Sequence, residues 1–183
     1  MEHLVRRVRA DEWQQVRDLR LAALQDPVAS IAFQETYEYS VAQPDSFWQG
    51  RASGAAVGDE VAQFVAEGPD GSWAGSVSVI VERVGGNSPF AHQVSVDQAI
   101  VVGVFVRPEA RGAGLADALF RAAVDWSWGV QEPKIQRVRL FVHERNARAE
   151  GLYTKLGFER TGVTVPMDGD RSDELEIEMA VRR

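Results

Sequence analysis

The chain contains no cysteine, which excludes disulfides, thiolate-bound zinc and a thiol nucleophile. Its three histidines, His3, His92 and His143, stand far apart without metal-ligand spacing, and this argues against a metal enzyme. No apolar run approaches the ~20 residues needed to cross a bilayer. The opening MEHLVRRVRADEWQQVRDLR alternates charge with apolarity and lacks the uncharged core of a signal peptide. The expectation is therefore a cytoplasmic protein with no membrane partner. Two nucleotide motifs are also missing. No Gly-x-x-x-x-Gly-Lys-Ser/Thr run occurs, and the one candidate for Gly-x-Gly-x-x-Gly fails because Asp117 stands three residues after Gly114. Positive charge is in deficit, with 20 Lys and Arg against 27 Asp and Glu and a net charge of −7. That balance argues against general nucleic-acid binding, which relies on clustered cations, and is compatible with a cationic substrate.

What is present is the make-up of an ordinary globular protein, 45% hydrophobic and 26% charged over 183 residues. This length is most simply one domain, residues 1–183, able to bury a sizeable core. The stretch organising it is VFVRPEARGAGLADALF, Val104 to Phe120. It reads as a strand, a glycine turn and a helix start. Gly112 and Gly114 remove Cβ atoms where the backbone turns and a ligand could approach. The first amides of the following helix have no intrahelical acceptors, and with the positive end of the helix dipole they make an anion site. Ala116 keeps the first turn accessible and Arg111 adds a permanent positive charge. The turn reads as a diphosphate cradle, against the plainer alternative of a mere connection.

In chain order, Leu4 to Arg9 reads as a short strand, and Asp11 as the N-cap of a helix carrying Trp13, Val16, Leu19, Ala23 and Leu24 on one face. Pro27 stops it. Val28 to Pro44 has weak periodicity and reads as an irregular or short-helical lid. Ser46 to Ala52 reads as a short helix weakened by Gly50 and Gly54, with Arg51 solvated. Ala62 to Glu67 and Trp73 to Glu82 are β-like runs joined by Gly-Pro-Asp-Gly, hence a hairpin. Gly85 to Ala91 reads as a loop. Gln98 to Val106 (QAIVVGVFV) is the nearly continuous apolar run of a central strand, and Gly103 inside it marks a bulge or close backbone approach. A helix from about Gly114 to Trp128 carries Leu115, Ala118, Leu119, Ala122, Val124 and Trp126, with Trp126 and Trp128 expected in core or interface. Arg137 to Val142 is a strand predicted to lie parallel to the one ending at Val106, because a helix intervenes. A helix from about Ala147 to Leu156 closes on Gly157. Phe158 to Val165 and Glu174 to Val181 make a final hairpin around Met167 to Asp173.

The second informative constellation is Asn146-Ala-Arg-Ala149-Glu-Gly-Leu-Tyr153-Thr-Lys-Leu156-Gly157-Phe158. On a helix Asn146, Ala149 or Glu150, and Tyr153 share a face. An asparagine alone is most often a cap and a lone helical tyrosine is usually core; the pairing is what points to a site.

These two constellations, in this order, resemble the GNAT superfamily of acyl-coenzyme A-dependent N-acyltransferases. Its pyrophosphate motif, Gln/Arg-x-x-Gly-x-Gly/Ala, is matched by Arg111, Gly114 and Ala116. Its following motif, Asn-x-x-Ala-x-x-x-Tyr-x-x-x-Gly-Phe, is matched by Asn146, Ala149, Tyr153, Gly157 and Phe158. The resemblance covers roughly residues 98 to 160. It implies an α+β fold: a central mixed, mostly antiparallel sheet of six to seven strands flanked by about four helices, the fourth and fifth strands splayed, with acyl-CoA in the opening. It also implies an N-acetyltransferase moving an acetyl group from acetyl-CoA to a primary amine of a small molecule or peptide by direct attack, with no metal. Main-chain groups of Phe105 and Val106 would then pair with pantetheine. Amides from Arg111 through Gly112, Ala113, Gly114 and Leu115 to Ala116 would hold the pyrophosphate. Asn146 would contact pantetheine, and Tyr153 would stand near the sulfur. A tyrosine, with an ordinary pKa near ~10, can protonate a departing thiolate at neutral pH, and a strand amide near Gly103 to Phe105 could stabilise the oxyanion.

The departure is the base. Some members carry a glutamate in the fourth strand, but Ala99 to Val106 has no ionisable residue. Glu67, Glu82, Asp97, His143, Glu144 or water remain open, and an amine arriving already deprotonated needs none. In this family the acceptor pocket is usually built from the first helices and the final hairpin, here Phe33 to Tyr39, Trp48 and the loop with Asp168, Asp170 and Asp173. Those three carboxylates would favour an ammonium group, although solvated turn residues are the plainer reading. A homodimer through a strand edge or the Trp126 region is compatible with the sequence. The rival readings are an acyl-CoA-binding sensor without transfer activity and a structural domain without ligand.

Overall fold

The strands β1 (Leu4–Arg7), β2 (Val61–Glu67), β3 (Trp73–Glu82), β4 (Gln98–Val106), β5 (Arg137–His143), β6 (Glu159–Pro166) and β7 (Leu175–Arg182) form one sheet in the order β1-β2-β3-β4-β5-β7-β6. Every neighbouring pair is antiparallel except β4 with β5. That parallel pair is the one predicted from the intervening helix, since a crossover is what returns a chain to run alongside itself. The computed structural model describes residues 2–88 and 93–183, so the predicted loop is described from 85 to 88, and its residues 89–91, like His92, lie outside the described residues.

Four longer helices, α1 (Trp13–Leu24), α4 (Asp45–Ala56), α5 (Leu115–Gly129) and α6 (Ala147–Lys155), are those the periodicity points to. The segment predicted as an irregular or short-helical lid contributes two short ones, α2 (Ala29–Ala32) and α3 (Tyr37–Val41).

The core has two layers. On one face of the sheet, Leu115, Leu119, Phe120 and Ala123 of α5 pack on Val77, Val79, Val101, Val138, Leu140 and Met179, and Phe158 joins them. Burying Leu119 and Phe120 contributes roughly 1.5–3 kcal/mol each. On the other face, Val16, Leu19 and Ala23 of α1 and Trp48, Ala52 and Ala55 of α4 pack on Val65, Trp73 and Phe105. This second cluster corrects two expectations. Helix α4 runs to Ala56 despite Gly50 and Gly54, because burial of Trp48, Ala52 and Ala55 along one stripe outweighs the ~1 kcal/mol that each glycine costs. Trp48 is fully buried in that core and so cannot line an acceptor pocket. A third correction concerns Asp11. The N-cap of α1 is Glu12, whose carboxylate accepts the Arg9 amide at 2.8 Å and pairs with Arg6 at 2.6 Å. Arg51 is exposed, as expected, while also pairing with Glu35 at 3.4 Å and lying over the Trp48 ring.

Beyond the reach of α1 and α4, the same face over β5 and β7 carries buried charge. Arg139 pairs with Glu82 at 2.6 Å and with Glu178 at 2.8 Å. Arg137 reaches Glu178 at 3.2 Å and Gln98 at 2.6 Å. This network ties β3, β4, β5 and β7 together where the sheet is continuous.

Candidate functional site

Strands β4 and β5 pair only from Gln98, Ala99 and Ile100 to Arg137, Val138 and Arg139. After Ile100 they part, and β4 continues to Val106 held by β3 alone. Burial follows: Gln98 to Val101 are buried, whereas Val102, Gly103, Val104 and Val106 are partly exposed. The predicted irregularity at Gly103 lies at this opening. Ser78 pairs with Val102 and Ser76 with Phe105, so Gly103 and Val104 together oppose Val77, a bulge with one extra residue. Gly103 has φ +64°, and a Cβ there would sit 3.7 Å from an Arg20 guanidinium nitrogen. The left-handed backbone, not lack of room, is what requires glycine.

At the end of β4 the chain makes a short 3₁₀ turn, Pro108–Ala110, and enters the glycine turn. Gly112 and Gly114 adopt φ +84° and +77° and are exposed, with open space where a Cβ would stand. Gly114 is the N-cap of α5 and supplies no side-chain cap. None of the main-chain amides from Gly112 to Asp117 donates a hydrogen bond among the described residues. A row of unpaired amides at the positive end of a 15-residue helix has the donors and the field to receive an anion. The Arg111 side chain is a correction to the expected extra positive charge. Its Nε donates to the Val106 carbonyl at 2.9 Å and a terminal nitrogen pairs with Asp26 at 2.6 Å. Its charge is thus matched by a carboxylate, and the Val106 carbonyl expected to meet pantetheine is already engaged. The pair instead fastens the loop after α1 to the turn.

Helix α6 forms the next wall. Asn146 caps it, its Oδ1 accepting the Ala149 amide at 3.3 Å, which leaves the side-chain NH₂ as the group able to reach a ligand. The helix ends at Gly157, and Phe158 donates its amide to the Tyr153 carbonyl at 3.0 Å. That closure fixes Tyr153, whose ring lies 5.2 Å from Phe120, itself 5.8 Å from Phe158. The Tyr153 hydroxyl makes no hydrogen bond among the described residues, and burial pushes its pKa up to about 12. Such a phenol keeps its proton across the physiological range and acts as a donor.

The cradle, α5 and α6 lie on one face of the sheet. On the other, Phe33, Gln34 and Glu35 cross the opening between α2 and α3. Phe33 lies under the Arg20 guanidinium at 4.6 Å, and Glu35 pairs with Arg20 at 3.0 Å. Gln34 donates to Glu176 of β7 at 3.2 Å, and Arg171 of the β6–β7 loop donates to the Ser30 carbonyl at 2.7 Å. The first helices and the final hairpin therefore do meet, as expected of an acceptor wall. Burial works to raise the Glu35 carboxyl, but Arg20 and Arg51 outweigh it and hold it below the ordinary range. Asp168, Asp170 and Asp173 are all exposed, in keeping with solvated turn residues.

Among the base candidates, Glu67 pairs with Arg6 at 2.5 Å, Glu82 is locked to Arg139, and Asp97 accepts the Val84 amide at 3.0 Å. Glu82 and Asp97 stand at the closed end of the β4–β5 pair. Glu144 is exposed and accepts the Leu175 amide at 3.0 Å. The buried His143 accepts the Arg145 amide on Nδ1 at 3.1 Å, which occupies that nitrogen's lone pair, and its Nε2 stands 3.5 Å from Glu174. Gln34 and Glu35 fall within the Phe33 to Tyr39 stretch expected to line the acceptor pocket, whereas Arg20 and Glu176 were not singled out from the sequence. The alternation in ELEIEMAV puts Glu174, Glu176 and Glu178 on one face, but only the pairing of β7 with β5 shows what that face meets.

A sheet opened after its fourth strand, leading to a bulge and then to an anion cradle, is the architecture of an acyl-CoA N-acyltransferase. The model of the Acetyltransferase (GNAT) family matches residues 13–158, and the chain belongs to that family of N-acetyltransferases. Among solved structures it is similar to a GNAT-family acetyltransferase from Streptococcus pneumoniae, with a TM-score of 0.75 at 16% identity over 100% of both chains. It is also similar to the PaiA N-acetyltransferase from Thermoplasma acidophilum in complex with coenzyme A, with a TM-score of 0.67 at 15% identity, again over 100% of both. A curated relative in Bacillus subtilis (strain 168), named as a candidate ribosomal protein bS18-alanine N-acetyltransferase, is 34% identical over 84 residues, 46% of this chain. That match spans about half of the relative's length, 54%.

Proposed function

We propose that this chain, as a single cytoplasmic domain, transfers an acetyl group from acetyl-CoA to a primary amine by direct attack in a ternary complex. The observation carrying this reading is the row of unpaired amides from Gly112 to Asp117 at the end of a strand whose neighbour has departed. The pyrophosphate would lie on those amides. Pantetheine would follow the exposed edge of β4 past Phe105 and Val106, within reach of the Asn146 NH₂, and bring the thioester to the bulge. The amine attacks the thioester carbon, a C–N bond forms, and negative charge collects on the oxygen, for which a main-chain amide of the bulge would serve as donor. As the C–S bond breaks, the sulfur takes the pair and a proton from Tyr153, and the proton lost from the attacking nitrogen restores the phenol. No metal is required, because the cradle neutralises the phosphates and the amides polarise the carbonyl.

The acceptor tried first is a peptide or protein N-terminal amine, the substrate that the name of the Bacillus relative carries; small amines follow. Thiol release from acetyl-CoA is measured across free-amine peptides beginning in Ala, Ser or Met, lysine and polyamines, with mass spectrometry of each acceptor. Acceptor-dependent thiol release with one acetyl added supports transfer. Acetyl-CoA binding without release by any amine supports the sensor reading, and a melting temperature unmoved by any CoA ester overturns both.

A further inference from the structure

Resting on the transfer reading above, we propose that Glu176 on β7 receives the ammonium form of the acceptor and takes its proton before attack. The opening between β4 and β5 has two faces. The cradle, α5 and Tyr153 occupy one, so the cofactor fills that side and the amine must enter from the other. On that other face, alternation along β5 and β7 places Phe141, His143, Glu176 and Glu178 together, with His143 in register with Glu176. Glu178 is consumed by Arg137, Arg139 and Thr161, its bond to Thr161 being 2.7 Å. Glu176, one step closer to the open end, has no cationic partner within ion-pairing distance among the described residues. The one hydrogen bond to its carboxylate among the described residues is the 3.2 Å contact from Gln34, a neutral side chain on the segment that spans the opening. Every other carboxylate considered as a base is paired with a cation, bonded to a main-chain amide, or at the closed end of the strand pair.

The surroundings suit the role. Burial pushes the Glu176 carboxyl up, with exposed Asp168 acting in the same direction; Gln34, His143 and Arg171 act against it. These are the groups that face it from α2–α3, β5 and the β6–β7 loop. A carboxylate in this position attracts an ammonium ion and is a stronger base than one in water. The step balances simply: one N–H proton of R–NH₃⁺ passes to Glu176, giving R–NH₂ and a neutral carboxylic acid. The freed lone pair forms the C–N bond, and the acid returns its proton to solvent after product leaves.

The test is Glu176→Gln, with a hexapeptide bearing a free N-terminal alanine and spermidine as the two acceptors, and kcat/KM measured from pH 6 to 10. The expected loss at pH 7 is ~100-fold or more, the usual worth of a general base, with coenzyme A affinity unchanged. For the peptide the deficit shrinks about tenfold per pH unit up to the α-amino pKa near ~8, because the amine then arrives neutral. Gln34→Leu removes the bond that favours the charged carboxylate, so the acid limb of the profile moves to higher pH. A Glu176→Gln enzyme that keeps the wild-type acid limb, or a limb unmoved by Gln34→Leu, overturns the assignment. Wild-type protein that acetylates neither probe nor any amine of the panel overturns the transfer reading, and this proposal with it.

Discussion

Substituting Gly114 separates the anion cradle from the fold more cleanly than any other change. Its φ of +77° makes a side chain costly, yet a Cβ there meets nothing within 4 Å. Gly114→Ala therefore loses only backbone comfort, about 1–2 kcal/mol of stability, and leaves the amides available. Gly114→Glu carries the same backbone cost and adds a carboxylate over the cradle. At roughly 5 Å from a phosphate, with an effective dielectric constant near 20, the repulsion is about 3 kcal/mol per unit charge, which is about a hundredfold in Kd. Calorimetric titration of both variants with coenzyme A, alongside their melting curves, isolates the charge effect. The expected pattern is near-equal Tm values, Gly114→Ala binding within a few-fold of wild type, and Gly114→Glu binding at least ~50-fold more weakly, partly restored at high salt. Equal coenzyme A affinity in the two variants would refute the placement of the phosphates.

Tyr153→Phe should keep coenzyme A affinity and lower kcat by ~10-fold or more. Because the phenol is raised to about 12 by burial, the wild-type profile should show no basic limb from Tyr153 below about pH 11; a limb near 10 that vanishes in the variant would contradict this. Arg139→Met leaves Glu82 and Glu178 buried without their shared cation, at an expected cost of about 3–5 kcal/mol read by denaturant unfolding. A loss under ~1 kcal/mol would mean that this network does not hold the closed end of the sheet.

What could be read from sequence is what depends on near neighbours. The apolar run of β4 with one glycine, the glycine turn and the capped helix from Asn146 to Gly157 each declare themselves within about a dozen residues, and all three appear as expected. The parallel pairing of β4 and β5 also followed, because it is set by the kind of connection between them. What could not be read depends on partners far along the chain. Arg111 looked like free charge because Asp26, 85 residues earlier, gives no sign of reaching it. Trp48 looked like a pocket aromatic because its burial depends on α1 and β2 closing over it. Glu176 was not singled out at all, because only the pairing with β5 and the contact with Gln34 distinguish it from Glu174 and Glu178. Glycines in α4 argued for a shorter helix, and burial of its apolar stripe prevailed.

The most direct test of the coenzyme A site is a ¹⁵N–¹H NMR titration of the assigned protein with coenzyme A. The largest shifts are expected on the amides of Gly112 to Asp117, with a second group along Val102 to Val106. Saturable binding that leaves those amides unmoved and shifts others instead would contradict this expectation.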